Sequence, residues 1–450
     1  MTPLTAIAPG LMLIHGNQPG VLRDLLAHWL RRYPLAPLEA ENLLVQSNGI
    51  AQWLKLALAR DAAAGGLGVA ASLRLALPAS FLWQTYRAVL GAARVPEVSA
   101  LDQAPLAWRL MRLLPQWLDE PVFAPLAGFL AGDADGRRLH QLALRLAGLF
   151  DQYQVYRSDW LDDWARGLDQ LRRANGGTQP LAPAQRWQAQ LWRALLADAG
   201  PDALQDGRAG VHRQFVEHLA QAEPGRVAGL PRRVTVFGIS SLPAQSIEAL
   251  NAMARHCQVL LCVHNPSRHH WSDIVADKDL LRHAFKRQAR RPGTAATIGG
   301  LPSDAAADGQ HQNAQPLLAA WGKQGRDYIH MLDQFDDPAS YRQHVEPLTG
   351  GRIDLFDEPA SATLLGQLQS DILDLRPLAE TRAHWPPVDP RRDGSVRFHV
   401  AHGPQREVEI LHDQLLARLQ ADPALAPRDI IVMVPDIDQY APHVEAVFGQ

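Results

Sequence analysis

Amide side chains gather in one short stretch, Gln46-Ser47-Asn48-Gly49, with Gln52 and Lys55 just beyond it. The apolar run Leu43, Leu44, Val45 before it reads as a buried strand, and Ile50, Trp53, Leu54, Ala57 and Leu58 after it recur at helical spacing. On such a helix Asn48, Gln52 and Lys55 fall opposite the apolar stripe. Amides and the free N–H groups of a helix start then share the C-terminal edge of a strand, which is where open α/β sheets bind ligands. The plainer alternative is that Ser47 or Asn48 caps the helix and the amides face water.

Other residue groups invite chemistry and can be weighed in the same way. The turn His15-Gly16-Asn17-Gln18-Pro19-Gly20 joins an apolar run at 11–14 to a helix marked by Val21, Leu22, Leu25, Leu26 and Trp29, the place of a phosphate-binding loop in a nucleotide hydrolase. Such a loop needs a lysine for the phosphates and a Ser or Thr for the metal, and Val21-Leu22 stand there instead. Cys257 and Cys262, with His256, His264, His269 and His270 nearby, suggest a metal site. Residues five apart on a strand point to opposite faces and no Cys-x-x-Cys exists, so Cys262 reads as core and the histidines as loop residues. The carboxylate pairs Asp133/Asp135 and Asp162/Asp163 lack a nearby Glu-x-Lys and read as solvated charges, not a nuclease site. Trp83 could stack on a base, although a core position is the commoner fate of tryptophan. In DQYQVYRSDW (151–160), Arg157 beside two tyrosines and a tryptophan suits a nucleic-acid surface or, equally, a helix end closed by an Asp–Arg pair.

These positions need a scaffold, and the chain supplies strands and helices in alternation. Residues 11–32 and 41–59 read as β-α-β-α, the opening of a parallel sheet flanked by helices, and Pro78 and Ser80 mark a further helix start. From 101 to 219 the pattern turns helical, with stripes such as Leu106, Leu110, Leu113 and Leu114. Residues 234–238, a helix with Ile247, Leu250 and Met253, and 259–263 resume the βαβ pattern. The expected organisation is a first α/β part at 1–95, an all-helical insertion at 96–225, a return to the α/β domain at 226–375 with a mobile loop at 289–315, a linker at 376–394, and a second α/β domain from 395 to 450. In that last part 396–400 and 429–434 read as strands. Two strands and their helices bury too little to stand alone, so the natural chain is expected to continue past Gln450.

Composition bounds the reading. With 450 residues and 47% apolar content the chain can fill two or three cores. A formal net charge of −3 means that any polyanion site must be a local cluster. Two cysteines make no disulfide framework and fit a reducing compartment. Neither a signal peptide nor a bilayer-length apolar run is visible, so a soluble cytoplasmic protein without membrane contact is expected.

Several stretches together, LVQSNGIAQWL, LPASFLW, LFDQYQVYRSDW, LLAAWGKQGRDYI, PQREVEILHD and PRDIIVMVPDID, resemble the gamma chain of bacterial exodeoxyribonuclease V, the RecC family, in order from Leu11 to Gly449. The resemblance implies an α/β fold. It comprises a superfamily 1 helicase-like parallel-sheet domain with a large all-helical insertion, plus the start of a second helicase-like α/β domain. It implies a non-catalytic subunit of a heterotrimer with a RecB-type helicase–nuclease and a RecD-type helicase, with ATP and Mg in those partners and no cofactor or metal here. Such a subunit holds the complex together, splits duplex DNA and guides the 3′-ended single strand through a tunnel where the Chi recombination hotspot is sensed, within double-strand break repair. The implied DNA-binding positions are Gln46, Asn48 and Gln52; Leu77 and Trp83; Leu149, Asp151 and Arg157; and Arg208. Asn48 stands where a hydroxyl is usual and Gly148 where a carboxylate is, so the recognised octamer need not be the enterobacterial one. Chemically the set is coherent, since amides read base edges bidentately, Arg157 and Arg208 can bind phosphate or stack, and Trp83 and Leu77 offer sequence-tolerant packing. The competing readings are a helicase-like interaction scaffold without DNA contact and an ATP-dependent helicase, which would need the missing phosphate loop.

Overall fold

The computed structural model describes residues 8–173, 177–223, 225, 227–271 and 315–449. The loop expected at 289–315 therefore lies outside the described residues, save Gln315. The chain divides into two compact units, one of Met1–Glu358 with Asp371–Thr381, the other of Pro359–Ser370 with Arg382–Gln450.

The first unit is built on a five-stranded sheet of β1 (Gly10–Gly16), β2 (Glu41–Val45), β3 (Leu73–Ala76), β6 (Arg233–Phe237) and β7 (Gln258–His264), in the order β1-β7-β6-β2-β3. Every ladder in it is parallel. Parallel sheets are covered on both faces, which is why the central strands β6 and β7 are buried at nearly every position and largely apolar rather than alternating. Period two then sorts their side chains between two cores. Leu13, Leu44, Val236 and Leu261 face one core, where α3 (Pro78–Leu90), α10 (Arg208–Gln221) and α11 (Ala244–Ala254) pack. Ile14, Leu43, Val45 and Leu260 face the other, covered by α1 (Pro19–Arg32) and α2 (Asn48–Leu58). Cys257 falls in the first core and Cys262 in the second, and burial pushes each thiol up to about 12. The two cysteines are packing residues on opposite faces, as their spacing suggests.

A third core lies mainly among helices, from α4 (Gln103–Trp117), α5 (Ala124–Leu130), α6 (Arg137–Tyr156), α7 (Ser158–Ala165) and α8 (Arg186–Ala199), with the short α9 (Ala203–Asp206) leading into α10. This stretch, expected to be wholly helical, also contains an antiparallel hairpin of β4 (Gln170–Arg172) and β5 (Thr178–Pro180). The buried Asp163 on α7 draws the hairpin in, accepting from Gln170 Nε2 at 2.8 Å and from Arg172 Nε at 2.8 Å and Nη2 at 2.7 Å. Those arginine bonds hold its carboxyl below the usual range against the opposing effect of burial. β3 is likewise an addition, a four-residue edge strand with a ladder on one side only.

Beyond β7 come α12 (Pro316–Trp321), α13 (Lys323–Asp333), α14 (Pro338–Thr349), α15 (Leu364–Leu373) and α16 (Leu378–His384). The second unit adds α17 (Pro404–Ala421) and α18 (Ile437–Phe448). Residues 396–400 and 429–434, expected as strands, belong to no sheet among the described residues, and Phe398, Val400, Ile431 and Met433 are exposed. A strand is defined by its neighbour, and these stretches have none here.

One buried ion pair fixes the centre of the sheet. Arg233, fully buried at the start of β6, donates from Nε at 3.0 Å and Nη2 at 2.6 Å to the carboxylate of Glu41 at the start of β2, and from Nη2 at 2.7 Å to the Tyr33 carbonyl. Removing one partner of such a pair strands a charge in the interior. Glu41→Ala is expected to cost about 3–5 kcal/mol of unfolding free energy in chemical denaturation, with Glu41→Gln between it and the wild type.

Candidate nucleic-acid interface

The β2–α2 unit forms as its sequence predicts. Ser47 caps α2, its hydroxyl accepting from Ile50 N at 3.4 Å. That leaves Gln46, Asn48 and Gln52 exposed, with no side-chain hydrogen bond to another described residue. The amides are therefore available rather than spent on the cap.

Gln46 opens onto a cavity of about 630 Å³ at the C-terminal edge of the sheet. Because the strands are parallel, the residues following β2, β3 and β6 emerge at the same edge. Gln46, Leu77 and the turn that ends at Pro243 all contribute to the wall, facing Trp83 of α3, Asp151 of α6 and Arg208 of α10. Leu77 is half exposed at the N-cap of α3, held there by Pro78 in the first turn. Trp83 is half-buried, and its indole Nε1 donates to the carbonyls of Pro96 and Glu97, each at 3.2 Å, so only its ring is left for a ligand.

Arg208 and two carboxylates supply the charge. Arg208 Nε donates to Asp102 Oδ1 at 3.0 Å and lies 3.4 Å from Asp151 Oδ1. The second contact falls outside hydrogen-bond geometry, so Asp151 Oδ1 is a buried acceptor without a donor among the described residues. Burial raises the Asp151 carboxyl above its usual range, Arg208 opposes that, and Asp102 adds to it. Gln245, also on the wall, ties α11 to the α6–α7 junction by donating from Nε2 to the Gln154 carbonyl at 3.2 Å and to Ser158 Oγ at 3.1 Å.

The remaining candidates stand outside this cavity. Asn48 and Gln52 lie on the exposed side of α2, and Leu149 is half-buried against the helical core. Arg157 sits between α6 and α7, donating to Asp159 from Nε at 3.0 Å and Nη2 at 2.9 Å, with its guanidinium 3.7 Å from the Trp160 ring centroid. This is the closed helix end that the sequence allowed as an alternative. Sequence reasoning missed Tyr86, His212 and Gln245 on the wall. The strand-edge rule that picked out residues after β2 would have reached 239–246 had it been applied to β6.

At the other end of the same edge, the turn after β1 is filled by the chain itself. Leu355 N donates to His15 O at 2.7 Å. Asn17 Nδ2 donates to Asp357 O at 2.8 Å, and Asp357 N donates to Asn17 Oδ1 at 2.9 Å. A side chain at Gly16 would meet the Leu355 carbonyl at 2.7 Å. Metal-binding groupings are not found among the described residues.

Comparison with known proteins follows the same segments. The family model described as RecC, N-terminal domain, matches residues 11–375. The chain is 39% identical to the RecBCD enzyme subunit RecC of Escherichia coli K12 over 98% of its own length and 38% of that protein's. It is 34% identical to the Haemophilus influenzae subunit over 98% of its length and 39% of that relative's, and 30% identical to the Mycolicibacterium smegmatis subunit over 98% and 34%. The chain thus spans well under half the length of these relatives.

The raised Asp151 carboxyl at the cavity gives a stability test. A carboxyl raised in the folded state favours folding while protonated, and that contribution is lost as pH rises from the unfolded-state value through the folded one. Asp151→Asn should therefore gain stability relative to the wild type as pH climbs through the carboxylate range, measured as the difference between the two denaturation midpoints at each pH.

Proposed function

The chain belongs to the RecC family, and on that premise we propose that it forms the N-terminal part of a non-catalytic, DNA-handling subunit of an exodeoxyribonuclease V assembly acting in double-strand break repair and recombination. In this reading the cavity edge guides the unwound 3′ strand and takes part in sensing a Chi-type hotspot. The observation that carries it is the convergence of Gln46, Leu77, Trp83, Asp151 and Arg208, from separate segments of the chain, on one cavity at the C-terminal edge of a parallel sheet. A base-reading amide, an arginine, apolar packing and a ring face are what a single-strand site combines. The near-neutral net charge suits a site that must let its ligand slide, since affinity resting on few phosphate contacts stays modest.

The finer architecture belongs to the same proposal. The sheet domain is helicase-like, the helical core at 96–225 is an insertion into it, and residues from 395 onward belong to a second helicase-like domain. The relatives' description as a RecBCD enzyme subunit supports a heterotrimer with RecB-type and RecD-type subunits, which would bind ATP and Mg. The self-sufficient helicase reading is disfavoured by the turn at 15–20, which lacks the lysine and hydroxyl and is filled by residues 354–357. Among the described residues no helix is long and apolar enough to cross a membrane, and we place the assembly in the cytoplasm.

Alanine at Gln46, Trp83 and Arg208 in the assembled complex tests the reading. Each substitution is expected to weaken single-strand binding by about 1–3 kcal/mol, and the hotspot response should fall with it. Unwinding and hotspot response that both persist at wild-type levels would favour the scaffold reading, in which the fold no longer touches DNA.

A further inference from the structure

Behind Trp83 the cavity wall contains a hydrogen-bonded relay of three side chains. Tyr86 of α3 and His212 of α10 are both buried and both line the cavity. Tyr86 Oη lies 3.0 Å from His212 Nδ1, and His212 Nε2 lies 3.1 Å from Glu248 Oε2 on α11. An ionised carboxylate can only accept, so when the imidazole is neutral it carries its proton on Nε2 and presents a lone pair at Nδ1. The tyrosine hydroxyl must then donate to His212. Burial, reinforced by the Glu248 charge, holds that phenol well above its usual range, so the proton stays on Tyr86. With the proton committed to His212, the oxygen has only lone pairs left for the cavity. The ring cannot swing away, being packed against Phe215 at 4.5 Å and edge-on to Trp83 at 6.3 Å between centroids.

A second acceptor shares the cavity, the buried Asp151 Oδ1, which faces Arg208 at 3.4 Å but has no hydrogen-bond donor among the described residues. A wall that offers lone pairs at two places calls for donors on its ligand. At ring position 4 cytosine carries such a donor where thymine and uracil carry a carbonyl oxygen, and at position 6 adenine carries it where guanine carries a carbonyl oxygen. Resting on the reading that this cavity takes a base of the threaded strand, we propose that it selects bases with an amino group at that position over those with an oxo group, with Tyr86 Oη and Asp151 Oδ1 as acceptors. His212 and Glu248 are positioning residues in this scheme. Their role is to fix the sense of the tyrosine hydroxyl. Without the carboxylate the imidazole is free to carry its proton on Nδ1 and donate to Tyr86, which turns the hydroxyl proton toward the cavity and makes it a donor that accepts a carbonyl.

The test is competition binding of equal-length oligodeoxycytidylate and oligodeoxyuridylate to the full-length protein, since the two probes differ in carrying an amino or an oxo group at position 4. The wild type is expected to prefer the cytidylate by about fivefold to tenfold, the value of one buried hydrogen bond. Tyr86→Phe should bring the ratio close to one by weakening the cytidylate. Glu248→Met, which keeps the length of a half-exposed side chain but offers His212 no oxygen acceptor, should move the ratio the same way by strengthening the uridylate, a gain that loss of structure would not give. Thermal melting of each variant establishes that it is folded, and Glu248→Met carries the test if Tyr86→Phe is not. A wild type that binds both probes equally, or folded variants that keep the wild-type ratio, would overturn the proposal while leaving the DNA-binding reading intact. Failure of the wild type to bind either probe would instead overturn that reading and this one with it.

Discussion

The sheet is closed by an ion pair between residues 192 positions apart, Glu41 on β2 and Arg233 on β6. Between them the chain leaves the sheet, builds a separate helical core and returns. A return of that length has no local geometry to guide it, and parallel pairing specifies register only through which side chains face which core. The buried guanidinium supplies the missing specification. With both ends of its fork occupied by Glu41, it admits one alignment of β6 on β2, which sets Asn42 opposite Val234 and Val45 opposite Phe237. Slipping by one residue would turn Val234 and Val236 out of one core and into the other. It would also move the turn after β6 away from the turn after β2.

The cavity depends on that alignment. Its floor is apolar and its charged groups come from elements that the sheet does not itself order, so a second set of contacts is needed. Arg208, drawn between Asp102 and Asp151, ties α10 to the start of α4 and to α6, and Gln245 ties α11 to the α6–α7 junction. One cation cannot satisfy two carboxylates equally, and the geometry resolves the competition for Asp102. Asp151 keeps a buried oxygen with no hydrogen-bond donor among the described residues, which is a cost to the fold and a readiness to accept from something else.

The legible parts of this molecule were those written in local periodicity. The strand, polar turn and helix around Gln46 are found where spacing places them, and so are β1, β6 and β7 with their helices, because buried parallel strands and one-sided helices leave unmistakable apolar patterns. The opposed faces of Cys257 and Cys262 followed from strand geometry alone. What escaped was whatever depends on a side-chain or strand partner that apolar periodicity does not reveal. β3 is too short and too half-buried to announce itself. The β4–β5 hairpin is held by a carboxylate on the preceding helix. Residues 396–400 and 429–434 have strand composition without a neighbouring strand among the described residues. The relay through His212 links three helices, and no spacing rule connects residues 86, 212 and 248. At Arg157 the sequence permitted two roles, and the nearby Asp159 and Trp160 occupy the guanidinium.

The reciprocal bonds between Asn17 and the backbone of Asp357 have a mechanical meaning. In a motor, the corresponding turn loosens and tightens as fuel arrives and leaves, and that cycle is what makes the attached surface grip and step. Here the molecule's own backbone bonds the turn to residues 354–357. In the proposed role, such an edge would read DNA without stepping, and the pull that draws the strand across would come from another machine.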